Sequence, residues 1–363
     1  MVNYFELGHF KQLNEIVVAG SHDAGITSGD RNVITQALNI QEQAAAGVRV
    51  FDLRIAAATV KGTKGAPKGV ELRAFHADSK VMQTNTKVRH LDGGPVTLER
   101  TKLWGGAFGI GLTAMLGQAR AFVESREGST EFLILKFDKC LNWPLIAEAC
   151  VNVLGNRIYK GGGNLNTTRL HDLQGKVVVV FSGSGVAALH GAYTAADGIL
   201  AFKNLYDKKT GGTAYQSTFP GLQYYGKGGT SVTSPFHKRK QNEKKQGALM
   251  QGAKLLGHPD IMGMMYWTST GIFESIRKRN DKMWSPPNIE RLRKLWAQGL
   301  EEFVEHRNPL TIPQGSPAIG PTRKRYMPNI VMIDFADNLK CQQIRDLNDL
   351  SAHDLAALGS SIS

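Results

Sequence analysis

The sequence of 363 residues lacks several features that mark well-defined classes of protein. Its three cysteines, Cys140, Cys150 and Cys341, have the spacing of neither a disulfide framework nor a zinc site. No run approaches the ~18 consecutive apolar residues of a membrane-spanning helix, and the opening MVNYFELGHF lacks the order of charges and apolar residues found in a Sec signal peptide. These absences predict a chain that folds under reducing conditions, either in the cytoplasm or as an effector exported by a specialised system.

Motifs for binding nucleotides or nucleic acids are also lacking. Gly161-Gly162-Gly163 matches neither a Walker loop nor a dinucleotide-binding pattern, and there is no helix-turn-helix, zinc-finger or RNP motif. The net charge of +13 nevertheless favours an anionic partner. The basic run 237–245 (HKRKQNEKK) is typical either of a surface that rests on an anionic membrane or of an ordinary solvated helix face.

The most informative stretch runs from Ile16 to Ile55 and has the pattern strand, loop, helix, strand. The first apolar run ends in the sequence GSHDAG, which contains His22 and Asp23. A helix is predicted over 35–46, with Thr35 as its N-cap and Gly47 as its stop. The second apolar run, 48–55, contains Asp52 and Arg54. Because residues two apart in a strand share a face, these two charges lie together at the carboxyl end of a strand that begins apolar.

The pattern along the whole chain predicts an α/β fold, a single distorted (β/α)8 TIM-type barrel with irregular excursions that covers residues 1–363. Strands are predicted over 16–20, 48–55, 70–75, 132–137, 176–181, 222–225, 261–267 and 330–335. Helices are predicted over 35–46, 112–124, 143–154, 241–256, 289–305 and 341–347. The ranges 77–111 and 183–220 are predicted to be irregular, the first as an excursion over one face. A doubly wound open sheet is the alternative. In a closed barrel the first and last strands are neighbours, which places Asp334 beside His22.

The residues predicted at strand ends suit acid–base chemistry on a phosphodiester. Two histidines, His22 and His76, can act as base and acid near neutral pH, and Arg54 can bind a phosphate through two parallel hydrogen bonds. Acids behind the histidines fix their tautomers. Three alternatives stay open: each histidine can be an ordinary core or surface residue, the residues His22, Asp23, Asp52 and His76 can ligate a cation, and Lys136 can be a solvated lysine rather than a phosphate contact. Arg54 argues against the cation, because its charge occupies the same place.

These motifs, in this order, resemble the X domain of phosphatidylinositol-specific phospholipase C. The resemblance is carried by GSHDAG, by GVRVFDLRI, by a strand that ends in His76, and by NIVMIDF near the carboxyl terminus. It is closest to the bacterial, metal-independent branch, which implies cleavage of a phospholipid at a membrane surface by a peripheral, monomeric enzyme with no metal or cofactor. By motif, the implied catalytic residues are His22 as base, His76 as acid, Arg54 in the position of calcium in the eukaryotic branch, and the acids Asp23, Asp52 and Asp334.

The head-group pocket departs from the family pattern. The resemblance implies that Lys136 and Tyr225 bind substrate, yet Ser182 stands where the branch has an arginine, and the sequence LQYYG offers no acid beside Tyr225. Phosphatidylinositol is therefore the substrate that the resemblance implies. Another head group, in a glycerophosphodiester or a sphingolipid, and a non-catalytic lipid-surface module remain as alternatives.

Overall fold

The computed structural model describes residues 2–60, 69–77, 81–89, 95–103, 106–207, 214–226, 242–249, 258, 260–269, 275–305 and 328–349. Within these ranges the chain forms two sheets. Their strands, in chain order, are β1 Val18–Ser21, β2 Val48–Leu53, β3 Ile55–Val60, β4 Gly69–His76, β5 Val81–Arg89, β6 Pro95–Leu103, β7 Ala107–Gly111, β8 Phe132–Phe137, β9 Lys176–Ser182, β10 Ile199–Asn204, β11 Gly221–Gly226, β12 Met262–Tyr266 and β13 Pro328–Ile333.

Eight of these strands close into a parallel barrel in the order β1-β13-β12-β11-β10-β9-β8-β2. Strand β1 completes the closure, because it pairs with β13 from Val18↔Ile330 to Ser21↔Ile333 and with β2 on its other side. The TIM-type fold predicted from the sequence is thereby confirmed, as is the contact between the first and last strands. Strands such as β9 (KVVVVFS) are buried along almost their whole length, as expected when side chains fill the barrel and helices cover it.

The second sheet has five strands in the order β5-β6-β3-β4-β7. Strand β3 follows β2 after one intervening residue, Arg54, and turns back antiparallel into β4 with the register Ile55↔Ala74 to Val60↔Gly69. The hairpin therefore returns the chain to the point where it left the barrel. Its last residue, His76, lies beside the end of β2 for this reason.

Two predictions about the strands are wrong. The segment 70–75 is a strand but does not belong to the barrel; its place is taken by β10, which lies in the range 183–220 predicted to be irregular. The range 77–111, predicted to lack regular structure, contains β5, β6 and β7. A strand pattern shows that a segment is extended, but it does not show which sheet the segment joins.

The helices are α1 Ile40–Ala46, α2 Leu112–Glu124, α3 Trp143–Leu154, α4 Leu170–Leu173, α5 Gly183–Ala187, α6 242–249, α7 Ile276–Met283, α8 Pro286–Glu305 and α9 Asn338–Arg345. Helices α2 and α3 have the predicted bounds. The prediction for α1 is wrong at its start, because Asn39 rather than Thr35 caps it: the Asn39 side chain accepts from the Glu42 amide and Glu42 accepts from the Asn39 amide. Thr35 and Gln36 belong to the loop before the helix.

No helix in the described ranges is long and apolar enough to cross a membrane. Of the basic run 237–245, residues 237–241 lie outside the described part of the chain, and residues 242–245 begin α6. The prediction that this run contacts a membrane surface therefore stays a prediction.

Candidate active site

The predicted catalytic residues come together at the carboxyl end of the barrel. His22 and Asp23 follow β1, and Asp334 follows β13 directly. Asp52 lies in β2, and Arg54 forms the junction between the barrel strand β2 and β3 of the second sheet. Because parallel strands all end at the same mouth of a barrel, side chains far apart in sequence meet there.

His22 and Asp334 form the first acid–base pair. A hydrogen bond of 3.0 Å joins His22 Nδ1 to Asp334 Oδ1, across 312 positions of sequence. The carboxyl group of Asp334 is completely buried, whereas His22 keeps a small exposed edge. The neighbouring strands position the pair, since the His22 amide donates to Ile333 O at 3.0 Å. The juxtaposition predicted from barrel closure is confirmed.

Asp23 is the centre of the second group. Its Oδ2 accepts a hydrogen bond of 2.7 Å from His76 Nδ1 and lies 3.6 Å from His22 Nε2. Its Oδ1 lies 3.2 Å from Arg54 Nε. One carboxylate thus contacts both histidines and the guanidinium, and Asp23 adopts a left-handed backbone conformation, φ 43°, in doing so.

The histidines retain a proton more strongly than a free imidazole does. Burial lowers the pKa of His22, but the charge of Asp23 and the hydrogen bond to Asp334 outweigh it and raise that pKa to about 9. Burial likewise lowers the pKa of His76, and the hydrogen bond to Asp23 raises it by more. Burial raises the pKa of Asp23, but the charges of His22 and Arg54 hold it well below its usual range. Burial also raises the pKa of Asp334, against the hydrogen bond from His22; we place the shared proton on His22, because Asp23 supplies a second negative charge there.

Close packing brings the strand that carries His76 against the loop after β1. The Phe75 amide donates to Arg54 O at 2.9 Å, which fixes the end of β4 at the β2–β3 junction. Gly25 lies under this strand, where an added Cβ would lie 2.4 Å from the Cβ of Ala74. The absence of a side chain at residue 25 therefore permits the short distance between Asp23 and His76.

Asp52 and Lys136 form a buried ion pair beside this group. Lys136 Nζ lies 2.8 Å from Asp52 Oδ1 and 3.7 Å from Asp138 Oδ2, and the lysine side chain is only 1% exposed. Its ammonium also lies 4.6 Å from the ring centre of Phe202 and 5.9 Å from that of Tyr224. Lys136 was predicted to contact substrate; the structure instead encloses it and pairs it with Asp52.

Tyr225 is not brought to this cluster. Neighbouring residues of a strand point to opposite faces, and in β11 it is Tyr224 that lies against Lys136. The ring of Tyr225 packs edge-on against Tyr206, with 5.4 Å between ring centres. Ser182, at the position of the family arginine, is buried, and its side chain accepts from the Gly185 amide at the start of α5.

Among the described residues, one group offers ligand atoms for a metal ion. His22, Asp23 and Asp52 each have one such atom within 4.8 Å of the others. The carboxylates of this group already have cationic partners, because Arg54 contacts Asp23 and Lys136 contacts Asp52. A cation placed among them would face two fixed positive charges, which disfavours it. Independence of metal remains a prediction.

Three residues of the site were not predicted from the sequence. The ring of Tyr266, at the end of β12, packs edge-on against His22 with 5.7 Å between ring centres. Burial and the charge of Asp52 raise the pKa of its hydroxyl well above the usual value, so that the hydroxyl stays a donor. The sequence does carry a signal for Tyr266, because a polar group at the end of an apolar strand is typical of a residue at the mouth of a barrel. Thr35 and Gln36 gave no such signal, since they act through hydrogen bonds to backbone atoms.

The arrangement can transfer protons on two sides of a bound anion. Each histidine contacts a carboxylate, so each imidazole has a fixed orientation. Arg54 keeps 22% of its side chain exposed at the mouth, and a guanidinium offers a fork of donors that suits an anion of phosphate type. Groups with the chemistry of a general base, a general acid and a charge stabiliser thus lie together in one group of side chains.

No family model matches the chain, and no curated protein matches it. Solved structures do match along almost its whole length. A double mutant of the phosphatidylinositol-specific phospholipase C from Staphylococcus aureus has a TM-score of 0.52 at 15% identity, covering 96% of this chain and 97% of that chain. A form of that enzyme with pentafluoro-phenylalanine has a TM-score of 0.51 at 16% identity, covering 94% and 95%. At such identities the similarity establishes a shared fold, so the chain has the barrel fold of these S. aureus phospholipase structures.

Proposed function

We propose that this chain is a phosphodiesterase of the phospholipase C type, with phosphatidylinositol as its favoured substrate. The observation that carries the proposal is the group at the barrel mouth, in which Asp23 contacts His22, His76 and Arg54. The shared fold with the S. aureus enzyme supports the same reaction class. The proposal also takes residues 1–363 as one catalytic domain that acts as a monomer, without metal or cofactor, at a membrane surface.

In the proposed reaction the nucleophile belongs to the substrate. Neutral His22 takes the proton from the inositol 2-hydroxyl, and the resulting oxygen attacks phosphorus. The bond from phosphorus to the diacylglycerol oxygen breaks, and protonated His76 gives its proton to that oxygen. The products are a cyclic inositol phosphate and diacylglycerol. Because attack is intramolecular, correct placement of the head group supplies much of the acceleration.

The remaining charges hold these groups in place or balance the developing charge. Arg54 would stabilise the negative charge on the phosphoryl oxygens. Asp334 orients His22, and Asp23 orients His76 through the hydrogen bond of 2.7 Å. The Asp52–Lys136 pair, buried next to them, would preserve the position of Asp52 without touching substrate.

A second candidate, the same chemistry on another head group, is favoured by the surroundings of the site. Ser182 replaces the arginine of the family pattern, Lys136 is enclosed, and Tyr225 packs on the far face of β11. The acid–base group thus matches the family more closely than the head-group contacts do. A glycerophosphodiester and a sphingolipid are the alternatives that this observation supports.

The test is product identification on lipid vesicles in the presence of EDTA. Wild-type protein should convert phosphatidylinositol to a cyclic phosphate seen by phosphorus NMR, and His76→Ala should lose most of this activity. Arg54→Lys should lower kcat by ~10²-fold, because a lysine keeps the charge but not the guanidinium fork. Arg73→Lys, which changes an arginine in β4 that contacts Gly109 O and Glu71, is the matched control and should keep its rate.

The outcomes separate the candidates. Turnover of a sphingolipid or glycerophosphodiester in place of phosphatidylinositol would select the second head group. Activity that disappears with EDTA and returns with calcium would refute the metal-independent mechanism. Vesicle binding with no turnover of any lipid, unchanged in His22→Ala, would identify a non-catalytic lipid-surface module.

A further inference from the structure

Two buried residues outside the reacting groups, Thr35 and Gln36, join the ends of the first and last barrel strands. Both lie in the loop between β1 and α1 and are at most 1% exposed. Backbone pairing between β1 and β13 ends at Ser21↔Ile333, one residue before His22 and Asp334. Beyond this point one backbone bond, from the His22 amide to Ile333 O, joins the two segments that carry the catalytic candidates, and side chains supply the further contacts between them.

Gln36 uses its whole amide group for this purpose. Its Nε2 donates to His22 O at 3.0 Å and to Ile333 O at 3.1 Å. Its Oε1 accepts from the Ala336 amide at 3.0 Å. The three bonds connect His22, which carries the candidate base, with Ile333, which precedes Asp334, and with Ala336, two residues after it. One side chain thus fixes the backbone of both members of the His22–Asp334 pair.

Thr35 makes the complementary contacts. Its Oγ1 donates to Asp23 O at 2.9 Å, and its carbonyl accepts from the Phe335 amide at 2.7 Å. Asp23 and Phe335 both have left-handed backbone conformations, with φ 43° and φ 48°. Such conformations are strained in residues other than glycine and persist only where their surroundings hold them. Thr35 contacts both.

We infer that Thr35 and Gln36 are positioning residues that set the geometry of both acid–base pairs, His22–Asp334 and His76–Asp23. The inference rests on the proposed function for its effect on catalysis. Its geometric part is independent, because it predicts a change at His22 whether or not a substrate is known. A residue that merely satisfies buried polar groups would affect folding and leave the imidazole of His22 unchanged.

The first test compares Gln36→Leu with Asn348→Leu. Asn348 is a matched control: it is also a buried amide that makes three hydrogen bonds, donating to Val17 O and Arg345 O and accepting from the Val17 amide, but at the opposite end of β1. We expect Gln36→Leu to lower kcat by ~10²-fold, since a shift of about 1 Å in a reacting group has this effect. Asn348→Leu should lower the melting temperature and keep kcat.

The decisive readout is the titration of His22 followed by NMR. In Gln36→Leu the hydrogen bond from His22 to Asp334 loosens, so the pKa of His22 falls from about 9 towards the ordinary ~6.5. In Asn348→Leu it stays where it is in the wild type. An unchanged His22 titration in a folded Gln36→Leu protein, or an equal change in both variants, would overturn the inference.

A second pair of variants decides the matter if Gln36→Leu does not fold. Thr35→Val keeps the shape of the side chain and removes the donor to Asp23 O, whereas Thr35→Ser keeps the donor. We expect Thr35→Val to alter the titration of His76 and Thr35→Ser to restore it. Equal titrations in the two proteins would refute the role of Thr35. A wild-type protein that turns over no phosphodiester, yet shows these shifts, would refute the proposed function and keep the positioning role.

Discussion

At the scale of single residues, the proton on His22 is held by two carboxylates on different nitrogens. Asp334 contacts Nδ1 at 3.0 Å and Asp23 lies 3.6 Å from Nε2. A pKa of about 9 leaves only ~1% of the imidazole neutral at pH 7. A general base must be neutral to accept a proton, so the fraction of active protein increases as the pH rises towards this pKa. Burial lowers the pKa of His76 and the hydrogen bond to Asp23 raises it by more, so the candidate acid keeps its proton to a higher pH than a free imidazole does.

We therefore predict a bell-shaped dependence of kcat/KM on pH with its maximum above pH 7. The two limbs of the profile report the pKa values of His22 and His76. In Asp334→Asn the negative charge on Nδ1 is lost, which lowers the pKa of His22, and the limb that reports His22 moves to lower pH. The rate at the maximum should fall ~10- to 100-fold, as when an orienting partner of a histidine is removed.

The control for this profile is Asp260→Asn. Asp260 lies 4.0 Å from His258 Nδ1, a pairing of the same type, but it precedes β12 and lies at the other end of the barrel. This variant should keep the wild-type profile. If both limbs stay in place in Asp334→Asn, His22 is not one of the two groups that the profile reports.

At the scale of elements, the junction at Arg54 determines which residues meet. Strands β2 and β3 are separated by this residue alone, so the chain passes directly from the barrel into the second sheet. Strands β3 and β4 pair one to one over six residue pairs, and His76 consequently returns to the level of Leu53. A change of one residue in this register would turn the imidazole to the other face of β4.

The sequence predicted the strands of the barrel that have long apolar runs better than it predicted β4, which carries His76, and β10. Strong apolar runs fixed β8, β9 and β13, and closure of a barrel then implied the pairing of His22 with Asp334. The same reasoning put the strand before His76 in the barrel, because an antiparallel hairpin strand and a parallel barrel strand can have the same local pattern. The short apolar run of β10 was missed between glycine-rich segments.

A close contact between β7 and the loop after β1 leads to a prediction about Gly109. An added Cβ there would lie 1.9 Å from Gly25 O, and Ile110 N donates to the same oxygen at 2.9 Å. Gly109→Ala must therefore displace the loop that carries His22 and Asp23. We expect a fall in kcat of ~10-fold or more, measured on the same vesicles, together with a lower melting temperature.

Gly117→Ala is the control for this substitution. Gly117 lies inside α2 with open space where the new methyl group would lie. Alanine favours a helix interior by ~1 kcal/mol over glycine, so this variant should melt at a higher temperature and keep its rate. Wild-type activity in Gly109→Ala would show that the loop after β1 tolerates movement.

At the scale of the whole molecule, charged groups at the two ends of the barrel have different partners. At the carboxyl end, Arg54 and the edges of His22 and His76 remain partly exposed. At the amino end, Arg49 and Glu131 are completely buried and pair at 2.6 Å. Glu131 also accepts from the amides of Tyr4 and Phe5, and Arg49 donates to backbone carbonyls, including Val2 O. The second group ties the amino-terminal segment to the barrel and leaves no charge free for a ligand.

Barrel closure could be predicted from the sequence, but the buried Arg49–Glu131 pair could not. Arg49 stands in β2 beside apolar neighbours, where the strand pattern alone placed it on the face of Phe51 and Leu53. Its acid comes from the residue before β8, and the carbonyl of Val2 comes from the chain terminus. Such a group forms only when three distant segments meet, and no local pattern encodes it.

The catalytic candidates lie at the carboxyl end of the barrel and the Arg49–Glu131 pair lies at the amino end. We therefore predict that Glu131→Gln lowers stability and leaves the catalytic rate unchanged. The substitution leaves the Arg49 charge buried without its partner, which costs about 3–5 kcal/mol, to be measured as the free energy of unfolding in urea. The folded protein should keep the wild-type kcat and pH profile, since no catalytic candidate moves. Glu124→Gln, in an exposed pair with Arg120, should change stability far less, because water screens an exposed ion pair. Adding Arg49→Met to Glu131→Gln should recover part of the loss, because no unpaired charge then remains. A single variant as stable as the wild type would show that water reaches Arg49 at this end of the barrel.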